Sequence, residues 1–521
     1  MRLAHIDITG FQGIKTLSLA LDEATTLIGE NAWGRRSFLN ALEKVMGPQG
    51  ADARFEDSDF YQQSRQLNIA LTFVERHGGH WRRLRYRPLR SVMWGRADGH
   101  MRLRLCWRAI KGQGSELTFV DASGQLLLSG KAAVRLARHL LTLHPLLRLG
   151  FPDTEHLEQS PWLKTLLENP EQFQEQALTQ GLGAVKALLA RYFTDPMPAK
   201  RPRDRLAMAR QPINWEAIRT LEQVINQSAS RQTRLALLGL FGVLMTRTEA
   251  QPVARLSRPL LLLDMPEARL HPVMLATFWS LVVQLPLNRL LITQSAELLG
   301  AQDLLAIRRL VRRQGELSCY QLKHPLREDD YRRIGFHLRV NRPASLFARG
   351  WLLVEGETEV WIINELARQA GYHFAAEGVK VIEFAQAGLK PLLKFARRMG
   401  IAWHVLTDGD DAGKKYASTT RSQLLRNEAE EDYLTQLPAA DMEHFLYRAG
   451  FSDVYHQAAH LPLNVPMNTR RIISKAIQRS SKPELAIAVA LTAAERGSQA
   501  IPALLSTMFA RVIWLARGKA D

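Results

Sequence analysis

Cysteine is nearly missing from this chain. Cys106 and Cys319 are the only two in 521 residues, which excludes a disulfide framework and a cysteine-based zinc set. Long apolar runs are missing too. The stretches around Leu260–Leu263 and Leu281–Ile292 are too short or too interrupted to span a bilayer, so no membrane association is expected. Residues 1–10 alternate polar and apolar and do not read as a secretory signal, so the expected compartment is the cytoplasm. There is no internal repeat and no low-complexity tract. Acid is in short supply: 51 Asp+Glu stand against 69 Lys+Arg, a formal charge of +18. That imbalance favours a nucleic-acid partner, DNA or RNA, over the bland reading of a basic, solvated surface. The deficit is sharpest over 81–111, where Arg82, Arg83, Arg85, Arg87, Arg90, Arg96, Arg102, Arg104, Arg108 and Lys111 meet only one acid, Asp98. On strands, Arg83, Arg85 and Arg87 would share one face, and so would Arg102, Arg104 and Arg108. Such a face is either a nucleic-acid contact or the solvated side of an antiparallel sheet.

What is present is enough apolar residue, 46%, for a core in each of two or three domains. Residues 1–9 and 16–28 read as strands. A glycine-rich turn, Gly29 to Gly34, leads into a helix carrying Phe38, Leu39, Leu42, Val45 and Met46, closed by Gly47-Pro48. Residues 67–128 read as a β-meander punctuated by Gly78-Gly79, Asp98-Gly99, Gly112 to Gly114 and Ser123-Gly124. Residues 131–194 and 213–250 carry helical spacing, with a basic, proline-rich linker at 195–212 between them. A buried strand at 258–264 ends in an acid, and another strand follows at Arg289–Thr293. The composition shifts to charged at 325–350, which places a domain boundary near 345. Strand, helix, strand, helix, strand then follow at 351–354, 357–370, 379–384, 388–399 and 402–407, the pattern of a parallel α/β unit.

Two acidic clusters end strands of that unit: Glu355-Gly356-Glu357-Thr358-Glu359 and Asp408-Gly409-Asp410-Asp411-Ala412-Gly413. In a parallel sheet, ligands gather at the carboxyl ends of strands. Glu359, one helical turn beyond Glu355, can face the same place. Asp408 and Asp410 can converge across a tight turn. Carboxylates held together repel unless a cation lies between them, and hard oxygen ligands suit Mg²⁺ or Mn²⁺. The bland reading of either cluster alone is a turn or a helix cap.

Together, the apolar strand with EGxTE and the apolar strand with DGDxAG resemble the toprim domain. Asp441-Met442-Glu443-His444-Phe445-Leu446 resembles the third acidic element of overcoming-lysogenization-defect (OLD) nucleases, although Asp441 stands where that family often has serine. Ser481-Lys482-Pro483-Glu484 resembles the segment that supplies a catalytic lysine there, with Lys475 as the alternative. The resemblance implies a two-metal phosphodiester hydrolase acting on DNA. Glu355, Asp408 and Asp410 would serve one Mg²⁺ or Mn²⁺, Glu359 and Glu443 the other, and Lys482 would steady transition-state charge. His404 reads as a packed strand residue.

OLD proteins join toprim to an N-terminal ABC-like ATPase, and residues 1–300 resemble that head. The carriers are Ile8-Thr9-Gly10-Phe11-Gln12-Gly13-Ile14, Leu27-Ile28-Gly29-Glu30-Asn31 and Pro266-Glu267-Ala268-Arg269-Leu270-His271-Pro272. The implied fold is an α/β, ABC-type P-loop head over 1–345, with an antiparallel meander and a helical insertion about 131–212. A toprim Rossmann-like α/β domain with C-terminal helices follows over 346–521. The implied nucleotide contacts are Gly29, Asn31, Gly34, Arg35, Ser37 and Asp264. Yet Arg35 and Arg36 stand where a P-loop needs Lys and a hydroxyl residue, Met265 stands where an acid orients the attacking water, and Gln294 stands where a histidine is usual. Only Ser228-Ala229-Ser230-Arg231 offers a signature motif. The head therefore leaves room for ATP but argues against its efficient hydrolysis. Heads of this type commonly pair, so a homodimer is expected. Two rivals stand: a fully ATP-dependent endonuclease in which Arg35 and Glu267 replace the missing groups, and a non-catalytic DNA-binding or scaffold protein.

Overall fold

The alternating inward residues Ile6 and Ile8, both 1% exposed or less, make the opening segment one strand of a two-faced sheet. In the computed structural model of the chain it is β1 (Arg2–Phe11), followed by β2 (Ile14–Ala20) and β3 (Ala24–Gly29). The structure describes residues 1–149, 258–268 and 287–518, apart from 30–31, 48, 63, 96–97, 314–315 and 324–325, together with 272, 275, 279 and 282–283. Two compact units result. One is Met1–Leu299 with Gly315–Cys319, and the other is Gly300–Gln314 with Tyr320–Asp521. Among the described residues no helix is long and apolar enough to cross a membrane.

The first unit has an antiparallel sheet and a parallel one. β4 (Gln66–Val74), β5 (Trp94–Gly95), β6 (Met101–Ile110), β7 (Gly114–Val120) and β8 (Leu126–Leu128) join β1 and β2 in the order β2-β1-β4-β6-β7-β8, with β5 against β6. β9 (Leu146–Leu149), β10 (Leu260–Asp264) and β11 (Asn288–Ile292) lie parallel beside β3 in the order β3-β11-β10-β9. The leucine runs of β10 and β11 are largely buried and fit strands covered on both faces. The helix Ala32–Met46 follows β3 and buries Phe38, Leu42 and Val45.

Three expectations need correcting. The segment 16–28 is two strands, because the chain turns at Leu21–Glu23 and leaves the meander for the parallel sheet. The helix begun at 131 spans only Gly130–Leu143; Pro145 ends it, and β9 pairs in register with β10. Arg83, Arg85 and Arg87 are not on a strand. Leu84–Val92 is a 3₁₀ segment containing Pro88, and its buried residues Tyr86, Leu89 and Val92 recur every third position. Arg102, Arg104 and Arg108 do lie on β6. The rest of the proposed helical insertion, the linker at 195–212, the helical stretch 213–250 and Ser228–Arg231 lie outside the described residues.

β12 (Ile307–Arg313) and β13 (Glu316–Gln321) come next in the chain. In the second unit β14 (Gly350–Val354), β15 (Val379–Glu383), β16 (Ala402–Thr407) and β17 (Leu434–Gln436) form a wholly parallel sheet in the order β15-β14-β16-β17. Every residue of β14 is buried. Leu352, Val354, Ile363 and Leu366 pack with Leu485, Val489, Leu505 and Phe509 from the helices Lys482–Arg496 and Ala503–Arg517 in one core. Each such side chain contributes roughly 1.5–3 kcal/mol, so the C-terminal helices are integral to the unit that carries the acids.

Candidate functional site

β14 and β16 are neighbours running the same way, so Glu355 and Asp408 leave the sheet at the same edge. The turn after β16 is tight. Gly409 donates its amide to the Ala439 carbonyl at 2.9 Å, and a Cβ there would lie 2.3 Å from that oxygen. A Cβ at Gly413 would lie 2.0 Å from the carbonyl oxygen of Asp408. The two glycines thus let the acidic turn fold back on its own helix.

Around that turn the sequence-derived residues are placed as follows. Glu355 is half-buried, and its Oε2 is buried without a hydrogen-bond partner. Glu359 reaches back to accept the Gly356 amide at 2.8 Å. Asp410 caps the helix Asp411–Arg421 by accepting the Gly413 amide at 2.7 Å. Glu443 is 7% exposed, with Oε2 also unpartnered. Its Oε1 stands 2.9 Å from Lys482 Nζ. Lys475 is exposed on the preceding helix. Asp441 caps the helix Met442–Leu446, accepting the His444 amide at 2.8 Å, and its Oδ1 lies 2.6 Å from His444 Nδ1.

The charges of these groups act on one another. Asp408 is pushed up to about 8 by burial and then by the charges of Glu355, Glu359, Asp441 and Asp410. Glu355 is raised by burial and by Asp410 and Glu359, against a smaller opposing effect of Lys482. Burial works against the Lys482 charge, but the bond to Glu443 and the charges of Glu443, Glu359 and Asp441 outweigh it and raise its pKa. These are carboxylates short of countercharge. Among the described residues no three acidic, histidine or cysteine groups close on one point; Glu359, Asp410 and Glu443 are turned onto Gly356, Gly413 and Lys482 instead. An all-carboxylate donor set with two orphaned buried oxygens nevertheless has the chemistry of a hard divalent-cation site. His404 is fully buried, with Nδ1 2.8 Å from the Asp432 carbonyl and Nε2 2.8 Å from Thr435 Oγ1.

In the first unit, β3 and β10 flank β11, so Gly29 and Asp264 end strands at one edge of the parallel sheet. Asn31 and the adjacent Glu30 lie outside the described residues, as do Arg269, Leu270 and His271. Gly34, Arg35 and Ser37 lie in the helix Ala32–Met46, and Arg36 there is exposed. The Ser37 hydroxyl accepts the Gly13 amide at 3.1 Å. Asp264 Oδ2 is 3.2 Å from the guanidinium of Arg148, which also pairs with Glu43. Sequence reasoning missed Arg148. Met265 adopts φ +46°, a conformation uncommon outside glycine. Glu267 Oε1 accepts from Thr293 Oγ1 at 3.0 Å and from the amides of Gln294 and Ser295 at 2.5 and 3.2 Å.

With both edges described, the class of protein follows: the chain belongs to the family described as "Protein of unknown function (DUF2813)", whose model matches residues 1–345, and it carries a domain of the type "Overcoming lysogenization defect protein-like, TOPRIM domain" over residues 346–410. The second match takes in Glu355, Glu359, Asp408 and Asp410; Glu443 and Lys482 lie beyond it. The chain is 46% identical over 558 aligned residues, covering all of both chains, to "Uncharacterized protein YbjD" of Escherichia coli (strain K12). Among solved structures it is similar to the C-terminal region of the Burkholderia pseudomallei OLD protein (21% identity, 32% of this chain, 97% of that chain, TM-score 0.28). It is also similar to the SMC head domain from Thermotoga maritima (11% identity, 62% of this chain, 100% of that chain, TM-score 0.30).

Proposed function

We propose that this chain is a divalent-metal-dependent DNA endonuclease that nicks duplex DNA, with a toprim nuclease domain over 346–521. The observation that carries the reading is geometric: parallel neighbours β14 and β16 bring Glu355 and Asp408 out at the same end of the sheet, and Glu355 and Glu443 each keep a buried carboxylate oxygen without a partner, which a divalent cation would satisfy. Glu355, Asp408 and Asp410 would hold one Mg²⁺ or Mn²⁺, and Glu359 and Glu443 a second. Bound there, the ions supply Lewis-acid polarisation of the phosphate and a water acidic enough to attack it. Lys482 keeps its positive charge beside Glu443 and offsets the negative charge that builds on the phosphate oxygens. The tight Gly409–Gly413 turn keeps Asp408 and Asp410 on one edge of the sheet.

Residues 1–345 form an ABC-like head that serves DNA placement and homodimerisation rather than ATP turnover. The residues present leave room for a nucleotide but are poorly suited to turning over Mg²⁺–ATP. The Arg148 guanidinium pairs with Asp264 Oδ2, Arg36 adds a like charge, and Glu267 Oε1 is taken up by the loop after β11, while Asp264 Oδ1 and Glu267 Oε2 stay buried and unpartnered. Met265 offers a thioether in place of a base. The protein works in the cytoplasm.

The deciding experiment is nicking of supercoiled plasmid by purified full-length protein with Mg²⁺ or Mn²⁺. Open-circle product that EDTA abolishes and that Asp408→Ala fails to make is the expected result. Equal behaviour of wild type and Asp408→Ala sinks the reading.

A further inference from the structure

We infer that the arginine-bearing 3₁₀ segment around Leu84–Val92 is a docking ridge for the phosphate backbone of double-stranded DNA. The inference rests on the nuclease reading for its choice of DNA, but its geometry lies wholly in the first unit. From 76 through 97 the chain contains no Asp or Glu. Tyr86, Leu89 and Val92, each 1% exposed or less, anchor the segment, and the spacing of three turns the intervening arginines outward. Arg82, Arg83, Arg87 and Arg90 are all exposed.

What distinguishes these arginines is how they are held. Several other arginines of this unit meet acids: Arg102 pairs with Asp98, Arg104 with Asp7 at 2.9 Å and Arg138 with Asp52 at 2.7 Å. Among the described residues no carboxylate pairs with Arg82, Arg83, Arg87 or Arg90. Two of them are braced by an aromatic ring instead. Arg82 and Arg90 lie over Trp81 at 5.6 and 5.2 Å, and Arg90 Nη2 donates to the Arg82 carbonyl at 2.9 Å. Such bracing fixes the guanidinium without neutralising it, which reduces the ordering cost when a phosphate arrives. The field is felt nearby: burial and then the charges of Arg85, Arg76 and Arg83 lower the pKa of Arg258. The one acid at the start of the stretch, Glu75, is 3% exposed and engaged with the amides of Trp81 and Met101. An anionic membrane is the poorer match. Leu84, 82% exposed, is the single large apolar residue presented there, whereas an interfacial helix needs a whole apolar face.

The test uses full-length protein in EDTA, so that no strand is cut, and a fluorescent duplex titrated at several salt concentrations. Changing Arg82, Arg83, Arg87 and Arg90 together to Ala should weaken binding by roughly 10- to 100-fold at low salt. It should also flatten the log–log salt dependence by about 0.9 for each phosphate that is no longer neutralised. The same four changed to Lys should restore most of both, and Arg138→Ala, which removes an acid-paired arginine, should do neither. Unchanged affinity and slope in the folded Ala variant, checked by its melting temperature, overturn the inference. So does loss of binding to phosphatidylserine vesicles with duplex binding intact. The nuclease reading fails separately: ridge-dependent duplex binding without any metal-dependent nicking defeats that reading and leaves the ridge standing.

Discussion

Lys482 Nζ meets Glu443 Oε1 at 2.9 Å, the lysine side chain half exposed and the carboxylate buried. The pair joins the start of the helix Lys482–Arg496 to that of Met442–Leu446. Lys482→Ala would strip the cation from a buried acid and from the reacting phosphate together. Plasmid nicking should fall by about 10²–10³-fold, with partial recovery in Lys482→Arg. Lys475→Ala, whose side chain is exposed on the neighbouring helix, should nick at the wild-type rate. Equal losses from both lysines would point to general basicity instead of a placed cation.

Asp408 gives a pH dependence with a definite sign. Its folded pKa, about 8, lies above the ordinary 3.8, so the folded protein holds a proton that the unfolded chain has released. That contribution to stability is complete below pH 3.8 and disappears as pH rises through 8. At about 1.4 kcal/mol per pKa unit the effect is of the order of a few kcal/mol. Asp408→Asn should therefore melt higher than wild type at pH 8.5 in EDTA, with the gap shrinking towards pH 5. A constant gap across that range would contradict the crowding of charge.

Gly409 and Gly413 should resist even one methyl group. Their added Cβ atoms would fall 2.3 and 2.0 Å from carbonyl oxygens. Each Ala substitution should cost ~1–3 kcal/mol in urea unfolding and abolish nicking. Gly371, whose Cβ would meet nothing within 4 Å although its φ is +84°, is a comparison site that isolates backbone strain from collision.

The Arg148–Asp264 pair bears on the head. ATP turnover by wild type, Arg148→Ala and Asp264→Ala should all stay at background, because removing the guanidinium leaves Arg36 and Met265 in place. The exposed pair itself should be worth under about 1 kcal/mol. A wild type that hydrolyses ATP faster than Asp264→Ala would overturn the disabled-head reading.

The toprim sheet was legible because its signals are local: an apolar run, then acids, then glycine at a fixed offset. Glu443 and Lys482 carried short patterns of their own, and the structure brings them together from different helices. Arg148 was illegible. Its partners Glu43 and Asp264 are distant in sequence, and nothing near it marks it as special. β9 hid for a related reason, since Leu146–Leu149 carries no turn signal beyond Pro145 and gains its identity from pairing with β10. The arginine segment misled by its alternation. The better guide was the apolar series Tyr86, Leu89 and Val92, whose spacing of three belongs to a 3₁₀ turn. That series buries surface, and burial outweighs the arrangement of exposed charge.

Glu359, Asp410 and Asp441 share a habit: each commits an oxygen to the first turn of its helix, at Gly356, Gly413 and His444. The acids are thereby engaged in shaping the helix starts on which they stand. A cation drawn to the Glu359 and Asp410 carboxylates would compete with the Gly356 and Gly413 amides held there. Those amides become built-in reporters: their deuterium uptake would register a cation's arrival residue by residue, with no substrate present and no bond cut.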